Sequence, residues 1–395
     1  MGSNHREFLV RLRARPETLY LSRGRTDHTR FTLDVDLLAD FADLIETTSE
    51  RLQHGQLERA WRDSTDGAFE LEFTYRIERR YQQQNERGDV RLERGVVMRV
   101  ENATSPLERT ENGVRFTIVL NPQQQWHVCI RLLPRIAGVL LEPPRGCRQL
   151  LDATGFRRKT LFFSEATKFE SLCSGTLTPV VLGALEQASY DLDSLRLPDL
   201  DHDRRAWTMA AGLPMYVALF GRDTLTAAWQ AALAGPETMR GTLAELQRWQ
   251  GRETNDWRDE QPGRMLHEAH TGPLEILNYN PRALSYNSIT TSAFFPVVLA
   301  ELWHWTGDRD VVRQHIPAAR AALRWLTEYC DANRDGFHEY QTRSKDGVRN
   351  QAWKDSGDAI VYDDGSQVEP PIATCEEQGF AYRRTAVCGG PLVAW

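Results

Sequence analysis

The first half of the chain alternates apolar and polar residues with the period of two that is typical of β-strands. Residues 69–77 show it clearly, with Leu71, Phe73 and Tyr75 on one face. The same alternation occurs in residues 29–38, 95–102, 113–120 and 126–134. Short strands joined by Asn-Gly and Arg-Gly turns predict an antiparallel β-sandwich. The polar stretches 50–64 and 80–93 are predicted to be solvated loops.

After residue 205 the pattern changes to that of amphipathic helices. In residues 310–330 apolar side chains recur every three or four positions, which predicts one buried face made of Val312, Ile316, Ala319, Leu323, Leu326 and Cys330. Residues 291–307 are apolar on most sides, which predicts a buried helix. Residues 224–235 and 236–251 predict a helical pair that is broken at Gly235-Pro236. Long loops rich in Trp, Asp, Glu, Arg and His join these helices, which suggests a helical barrel with its loops at one end.

These patterns predict an α+β multidomain protein. A β-sandwich is expected over residues 1–160, a helical linker over 161–204, and a helical barrel over 205–395. The length of 395 residues allows two or three domains.

Composition narrows the class of protein. The net charge of −7 does not favour nucleic acid as a partner. No apolar run reaches the roughly 18 residues of a transmembrane helix, and residues 1–30 lack the apolar region of a signal peptide. We therefore expect a soluble cytoplasmic protein with no membrane partner, whose six scattered cysteines are reduced and structural.

Three loop clusters hold candidate functional residues that also have simpler interpretations. Residues 219–224 contain Arg222 and Asp223, and the alternative is that Asp223 only caps a helix. Residues 255–275 contain Trp257 and Glu268, which a polar surface loop would also explain. Residues 331–343 match the front half of a calcium loop, but Thr342 occupies the place of the last carboxylate. A tight turn is therefore favoured over a metal site.

The fourth cluster, residues 349–360, is the one in which glycosidase chemistry is conceivable. Asp355 follows Trp353 and Lys354 closely, and a second acidic group lies at Glu376 and Glu377. A sugar hydrolase needs a carboxylic acid that protonates the departing oxygen and an aromatic surface for the sugar ring. The alternative is an ordinary polar helix start. Motifs for serine hydrolases, nucleotide binding and zinc proteases are missing from the sequence, so neither a cofactor nor a metal is predicted.

Several of these segments, taken in order, resemble the bacterial glycogen debranching enzymes, the amylo-α-1,6-glucosidase-like proteins. The resemblance covers about residues 25–382 and is most specific in LFGRDT and NQAWKDS. The other segments that carry it are residues 36–46, 211–230, 259–275, 305–308, 331–340 and 372–382.

The resemblance implies an (α/α)6 barrel behind a β-sandwich, as in glucoamylase-like, trehalase-like and family 63 glycosidases, and hydrolysis of α-glycosidic bonds with inversion. Asp355 would be the general acid, while Arg222 and Asp223 would grip the terminal glucose. The other implied binding residues are Trp257, Glu268, Trp353, Lys354 and Glu376. The implied partner is an α-glucan or an oligosaccharide.

The sequence departs from the family pattern in three ways. Thr290 stands where the family usually has Asp, and Glu377 where an apolar residue is more common. No general base is found, and twelve helices need on the order of 300 residues, so about half a barrel is expected. Three hypotheses stay open: an active hydrolase, with a trehalase-like substrate as a variant; a non-catalytic carbohydrate-binding remnant; and a truncated, inactive product.

Overall fold

The computed structural model of the protein describes residues 17–22, 29–63, 69–121, 124–142, 167–168, 170, 175, 178–202 and 205–388. The chain divides by residue contacts into two compact units. The first comprises Met1–Arg79 and Val90–Arg158, and the second comprises Arg80–Asp89 and Lys159–Trp395. Residues 80–89 and the segment 161–204 therefore group with the helical part of the chain.

The first unit is built from antiparallel strands. The strands in the described residues up to 140 are β1 (Glu17–Ser22), β2 (Thr29–Asp36), β3 (Gln56–Asp63), β4 (Phe69–Gln83), β5 (Glu86–Glu101), β6 (Leu107–Arg109), β7 (Gly113–Leu120), β8 (Gln125–Ile136) and β9 (Val139–Leu140). One sheet has the order β1-β8-β5-β4-β3, with β9 paired to β8, and the other has the order β2-β7-β6.

Alternating apolar residues of both sheets form one shared core. In β7, Val114, Phe116 and Ile118 are buried, as the period of two predicts. They belong to the same apolar cluster as Leu71 of β4 and Trp126 of β8 in the other sheet. Phe116 and Trp126 meet edge to face with ring centroids 5.2 Å apart. Two sheets that share a core in this way form a β-sandwich, which confirms the prediction.

Most of the two polar stretches forms strands, and the prediction of loops is wrong there, although residues 50–55 have no regular secondary structure. Residues 56–63 form β3, an exposed strand at the edge of its sheet, where charged side chains are common. Residues 80–93 lie in the long hairpin of β4 and β5. Cross-strand ion pairs join the arms of the hairpin, between Arg76 and Glu93 (2.9 Å) and between Arg80 and Asp89 (2.9 Å). In these strands both faces are exposed to solvent and carry charged side chains. The period of two therefore cannot be recognised as an alternation of apolar and polar residues.

Helices dominate the second unit. The helices in its described residues are α1 (Thr178–Ser194), α2 (Gly221–Gln230), α3 (Glu237–Arg248), α4 (Pro273–Ile276), α5 (Ile289–Thr306), α6 (Arg309–Tyr329) and α7 (Cys375–Cys388), with two short strands β10 (Leu219–Phe220) and β11 (Glu268–Ala269). Short 3₁₀ turns occur at Ile45–Thr47, Pro198–Leu200, Ala231–Leu233 and Pro281–Ala283. In the part of the chain that the structure describes, no helix combines the length and the apolar character that a membrane span requires.

Four of these helices, α2, α3, α5 and α6, pack around one apolar core. Leu225, Leu243, Phe295 and Ala319 come from the four helices in turn, and all are buried. The described elements are thus an antiparallel β region followed by packed helices, an α+β arrangement. The (α/α)6 barrel is a finer statement that stays a prediction.

The ends of α5 and α6 follow sequence signals. The buried face of α6 is rotated from the predicted one, so that Ala319 and Leu326 are buried as predicted while Val312, Ile316 and Leu323 are only half-buried. Gly307 ends α5 with φ of 63°, and the Asp308 carboxylate accepts the main-chain N–H groups of residues 310 and 311 at the start of α6. The buried side chains of α6 are His315, Ala318, Ala319, Ala322, Trp325 and Leu326. The size of the side chains accounts for the rotation. The small alanines of α6 face α5, whose buried side chains are bulky, and this allows the two helices to pack closely.

Replacement of Phe116 by Ala is expected to destabilise the sandwich by about 3–5 kcal/mol, because the cavity lies between two sheets that cannot collapse around it. Urea unfolding followed by circular dichroism would measure the change. The matched control is Val119→Ala on the same strand, where the side chain is exposed and the change should stay within about 0.5 kcal/mol. Equal effects of the two substitutions would contradict the assigned core.

Candidate functional site

A short two-stranded sheet sets the position of Arg222. Strand β10 pairs with β11, and the N–H of Gly221 donates to the carbonyl of His267 at 2.7 Å. A Cβ atom at position 221 would lie 2.2 Å from the carbonyl oxygen of Leu266, so only glycine permits this close approach. Helix α2 begins at Gly221 with Phe220 as its N-cap. The alternative that Asp223 is the N-cap is therefore wrong, since Asp223 lies within the first turn.

The Arg222 guanidinium holds the segment from Ala352 to Asp355. Its Nη1 donates to Oδ2 of Asp355 at 2.9 Å and to the carbonyl of Trp353 at 2.9 Å, with a longer bond of 3.4 Å to the carbonyl of Ala352. The guanidinium also lies over the indole of Trp353, 5.5 Å from the ring centroid. Asp223 is 3.4 Å from the same guanidinium. Arg222 thus contacts three of the residues predicted from the sequence, Asp223, Trp353 and Asp355.

Trp353 and Lys354 are the accessible members of this cluster. The Trp353 ring packs on Phe380 with centroids 5.8 Å apart, yet the residue remains 40% exposed. Lys354 extends toward Glu376 in the first turn of α7, with 3.5 Å between Nζ and Oε1. The pKa of Glu376 is lowered, first by a hydrogen bond from its own main-chain N–H and further by Lys354, and burial opposes the shift. The carboxylate is therefore charged at neutral pH.

Glu377 is buried next to this cluster, and no role was predicted for it. Its Oε1 accepts hydrogen bonds from the N–H of Trp353 at 3.1 Å and from the hydroxyl of Thr290. Burial is the main cause that raises the pKa of Glu377 to about 7, helped by the charge of Glu376 and opposed by its hydrogen bonds and by Arg222. The two positions that depart from the family pattern, 290 and 377, are thus in direct contact. The departure of Glu377 from the family pattern was the signal in the sequence that could have identified it.

Glu268 and two histidines form the wall behind Arg222. Burial acts to raise the pKa of Glu268, but a 2.9 Å hydrogen bond with His270 Nε2 and the positive charge of Arg282 lower it overall. Burial lowers the pKa of His267, assisted by the charge of Arg222 and opposed by those of Glu268, Asp355 and Asp223. His267 is therefore neutral at neutral pH. Sequence reasoning placed His267 in a polar loop without a role.

Trp257 belongs to a different network. It is fully buried, its indole N–H donates to Asn278 at 2.6 Å, and Lys345 lies over its ring at 5.4 Å. Its main-chain N–H donates to Asn85, in the segment 80–89 that groups with this unit. The structure therefore brings Arg222, Asp223, Trp353, Lys354, Asp355 and Glu376 together, with Glu268 behind Arg222, but gives Trp257 contacts of its own.

The loop after α6 forms a turn. Asn333 Oδ1 accepts from the N–H of Asp335 at 3.1 Å, and Asp335 Oδ1 accepts from the N–H of Phe337 at 2.8 Å. Across the described residues, no three His, Cys, Asp or Glu side chains come close enough together to hold a metal ion.

Comparison with known proteins relates the N-terminal part of the chain to one group. Residues 5–131 match the family model for the N-terminal domain of (some) glycogen debranching enzymes. No curated protein matches the chain. The match covers about a third of the sequence, the part that contains the β-sandwich, and the cluster around Arg222 lies outside it. The sandwich is therefore similar to a domain found in enzymes of glycogen debranching.

Replacement of Glu377 by Gln is expected to stabilise the protein at pH 8 and to change its stability little at pH 4. Because the pKa of Glu377 in the folded protein is about 7, above its ordinary value of 4.5, stability falls as pH rises from the lower value to the higher. A neutral amide removes this loss, which amounts to about 3 kcal/mol above pH 7. Urea unfolding at pH 4, 6 and 8 would measure it.

The control is Glu376→Gln, for which the opposite sign is expected. The lowered pKa of Glu376 contributes stability above its ordinary pKa that is lost as pH falls, so this substitution should weaken the protein at pH 8. A stability difference for Glu377→Gln that is the same at pH 4 and pH 8 would contradict the assigned protonation.

Proposed function

We propose that the protein is a glycoside hydrolase of the glycogen debranching, amylo-α-1,6-glucosidase type. It would hydrolyse α-glucosidic bonds of an α-glucan or an oligosaccharide with inversion, and Asp355 would be the general acid. One observation carries the proposal: Asp355 and Arg222 form an ion pair directly beside the exposed indole of Trp353. The similarity of residues 5–131 to a domain of glycogen debranching enzymes supports the choice of an α-glucan.

The chemistry of the cluster suits a sugar. A pyranose ring presents apolar C–H groups on its faces, which pack on an indole, and hydroxyls on its rim, which bind charged side chains. Trp353 provides the indole, and Arg222, Asp223, Lys354 and Glu376 provide charged donors and acceptors around it. Phe380 packs against the ring, so the indole is already held in place and its ordering cost on sugar binding is reduced.

Asp355 must exchange its partner before it can act as an acid. In the structure its Oδ2 is engaged by Arg222 at 2.9 Å, while the side chain remains partly accessible. A sugar hydroxyl that takes over Arg222 would release the Asp355 carboxylate, which would then bind a proton from solvent before donating it to the glycosidic oxygen. Binding of the terminal glucose to the Arg222 guanidinium would then also determine whether Asp355 is free to act as the acid. The proposal assigns no general base, which in an inverting enzyme would stand 6.5–9.5 Å from the acid.

A second candidate is carbohydrate binding without turnover. The ion pair with Arg222 favours it, because it engages the oxygen that a general acid would present to the substrate. The same Trp353 face and charged rim would then serve recognition alone.

Replacement of Asp355 by Asn is expected to lower kcat/KM on maltooligosaccharides or limit dextrin by about 10²–10⁴-fold, because the amide cannot donate the acid proton. Glucose release measures the activity, with trehalose as a further substrate. The matched control is Asp358→Asn, three residues away and exposed, which should leave the activity unchanged. If the unaltered chain releases no glucose from any of these substrates, the proposed hydrolysis is refuted.

Replacement of Trp353 by Ala is expected to weaken oligosaccharide binding at least tenfold, because the stacking surface is lost. Calorimetric titration of maltooligosaccharide into the Asp355→Asn variant would measure affinity without turnover. Trp305, also exposed but located at the end of α5, provides the control substitution. Binding by a protein that shows no hydrolysis, abolished in Trp353→Ala, would establish the second candidate in place of the first. Unchanged affinity in Trp353→Ala would exclude both.

A further inference from the structure

We propose that Glu377 is a positioning residue, which fixes the main chain of Trp353 and thereby sets where the Trp353 indole and the Asp355 carboxyl group stand. For its effect on catalysis the proposal rests on the proposed function. The structural part, that Glu377 holds the main chain of this segment, stands without it.

Two peptide groups flank the Trp353 Cα atom, and both are hydrogen-bonded to side chains. Glu377 Oε1 accepts the N–H of Trp353 at 3.1 Å, and Arg222 donates to the carbonyl of Trp353 at 2.9 Å. Hydrogen bonds on both sides of one Cα atom restrict its φ and ψ angles together. Asp355 follows two residues later, so a rotation at Trp353 would carry its carboxyl group away from Arg222.

Glu377 is itself held in place. Its Oε1 also accepts the hydroxyl of Thr290, and both residues lie at or near the starts of their helices, α5 and α7, which pack on each other. Glu377 and Thr290 are 1% and 0% exposed. A carboxyl group that is buried between two helices and anchored by a hydroxyl cannot change rotamer freely. The positions of α5 and α7 therefore determine where Glu377 holds the segment from Trp353 to Asp355.

Packing alone does not explain an acidic side chain at this position. A buried carboxyl group costs free energy unless its oxygens are hydrogen-bonded, and within the described residues Oε2 of Glu377 has no hydrogen-bond partner. An apolar side chain of similar volume would avoid this cost. The carboxyl group provides an acceptor for the N–H of Trp353 at the site of the proposed chemistry. Buried polar groups that cost folding free energy often have a functional reason at such sites.

The raised pKa indicates which substitution should preserve the function. Since burial raises the pKa of Glu377 to about 7, a large fraction of the residue is protonated at neutral pH. Its hold on Trp353 therefore depends on an oxygen acceptor and does not require a full charge. Gln keeps that oxygen and Ala removes it, so Gln should rescue what Ala loses.

The test combines hydrogen exchange with kinetics on the full chain. Exchange at the main-chain amide of Trp353 should become at least tenfold faster in Glu377→Ala, stay near the wild-type rate in Glu377→Gln, and rise by a smaller factor in Thr290→Val. Amides of residues 241–247 in helix α3, which lies in the same unit as Trp353, report unfolding of that unit and should not change. Glu376→Gln, the neighbouring carboxyl group with no bond to Trp353, serves as the control for exchange.

Kinetics on maltooligosaccharides test the catalytic part. In Glu377→Ala, kcat should fall at least tenfold with little change in KM, because a displaced acid affects the transition state more than substrate binding. Glu377→Gln should recover most of the loss. Equal losses in Ala and Gln would refute the positioning role, and so would unchanged exchange at Trp353 in Glu377→Ala.

The outcomes separate this proposal from the proposed function. If no form of the chain hydrolyses glucans, the hydrolase proposal and the catalytic part fail, while exchange at Trp353 still decides whether Glu377 holds the segment. If Glu377→Ala does not fold, Thr290→Val decides the matter: faster exchange at Trp353 supports the proposal, and an unchanged rate overturns it.

Discussion

The arrangement of the candidate site depends on the Arg222 guanidinium. A planar guanidinium can donate hydrogen bonds from its edge while its face lies over an indole ring, and a lysine ammonium has no such planar face. Arg222 uses this capacity on Asp355, Trp353 and Ala352. These bonds join the loop to the start of α2 and place the carboxyl group beside the aromatic surface.

The position of this cation is in turn set by backbone contacts. The pairing of β10 with β11 and the approach of Gly221 to the carbonyls of residues 266 and 267 bring the loop before α4 against the start of α2. His267 and Glu268 are then buried close to Arg222. Burial keeps His267 neutral and hydrogen bonding keeps Glu268 charged, so the wall of the site adds one negative charge behind a cation.

The sequence predicted some elements well because each of them buries one face against the core and exposes the other. The strands around Val114, Phe116 and Ile118 alternate cleanly, and the signals at Gly307 and Asp308 mark the helix ends where they occur. It failed for β3 and for the tip of the β4–β5 hairpin, because side chains there face water on both sides and ion pairs replace burial. The predicted face of α6 was rotated, since helix packing also depends on the size of the partner's side chains. Glu377 was noticed only as an unusual residue, and its neighbours could not be read from its position in the chain.

By itself, the sequence determined the change from strands to helices near residue 200 and supplied the loops that carry Arg222, Trp353 and Asp355. Hydrophobic periodicity and turn residues depend on only a few neighbouring positions, so they can be recognised from the sequence alone. Tertiary structure decided which of these residues meet. Arg222 and Asp355 are 133 positions apart and Thr290 and Glu377 are 87 apart, while Trp257, only 35 positions from Arg222, joins another network. Contacts of that kind depend on how helices pack, and packing is a property of the whole core that no local pattern contains.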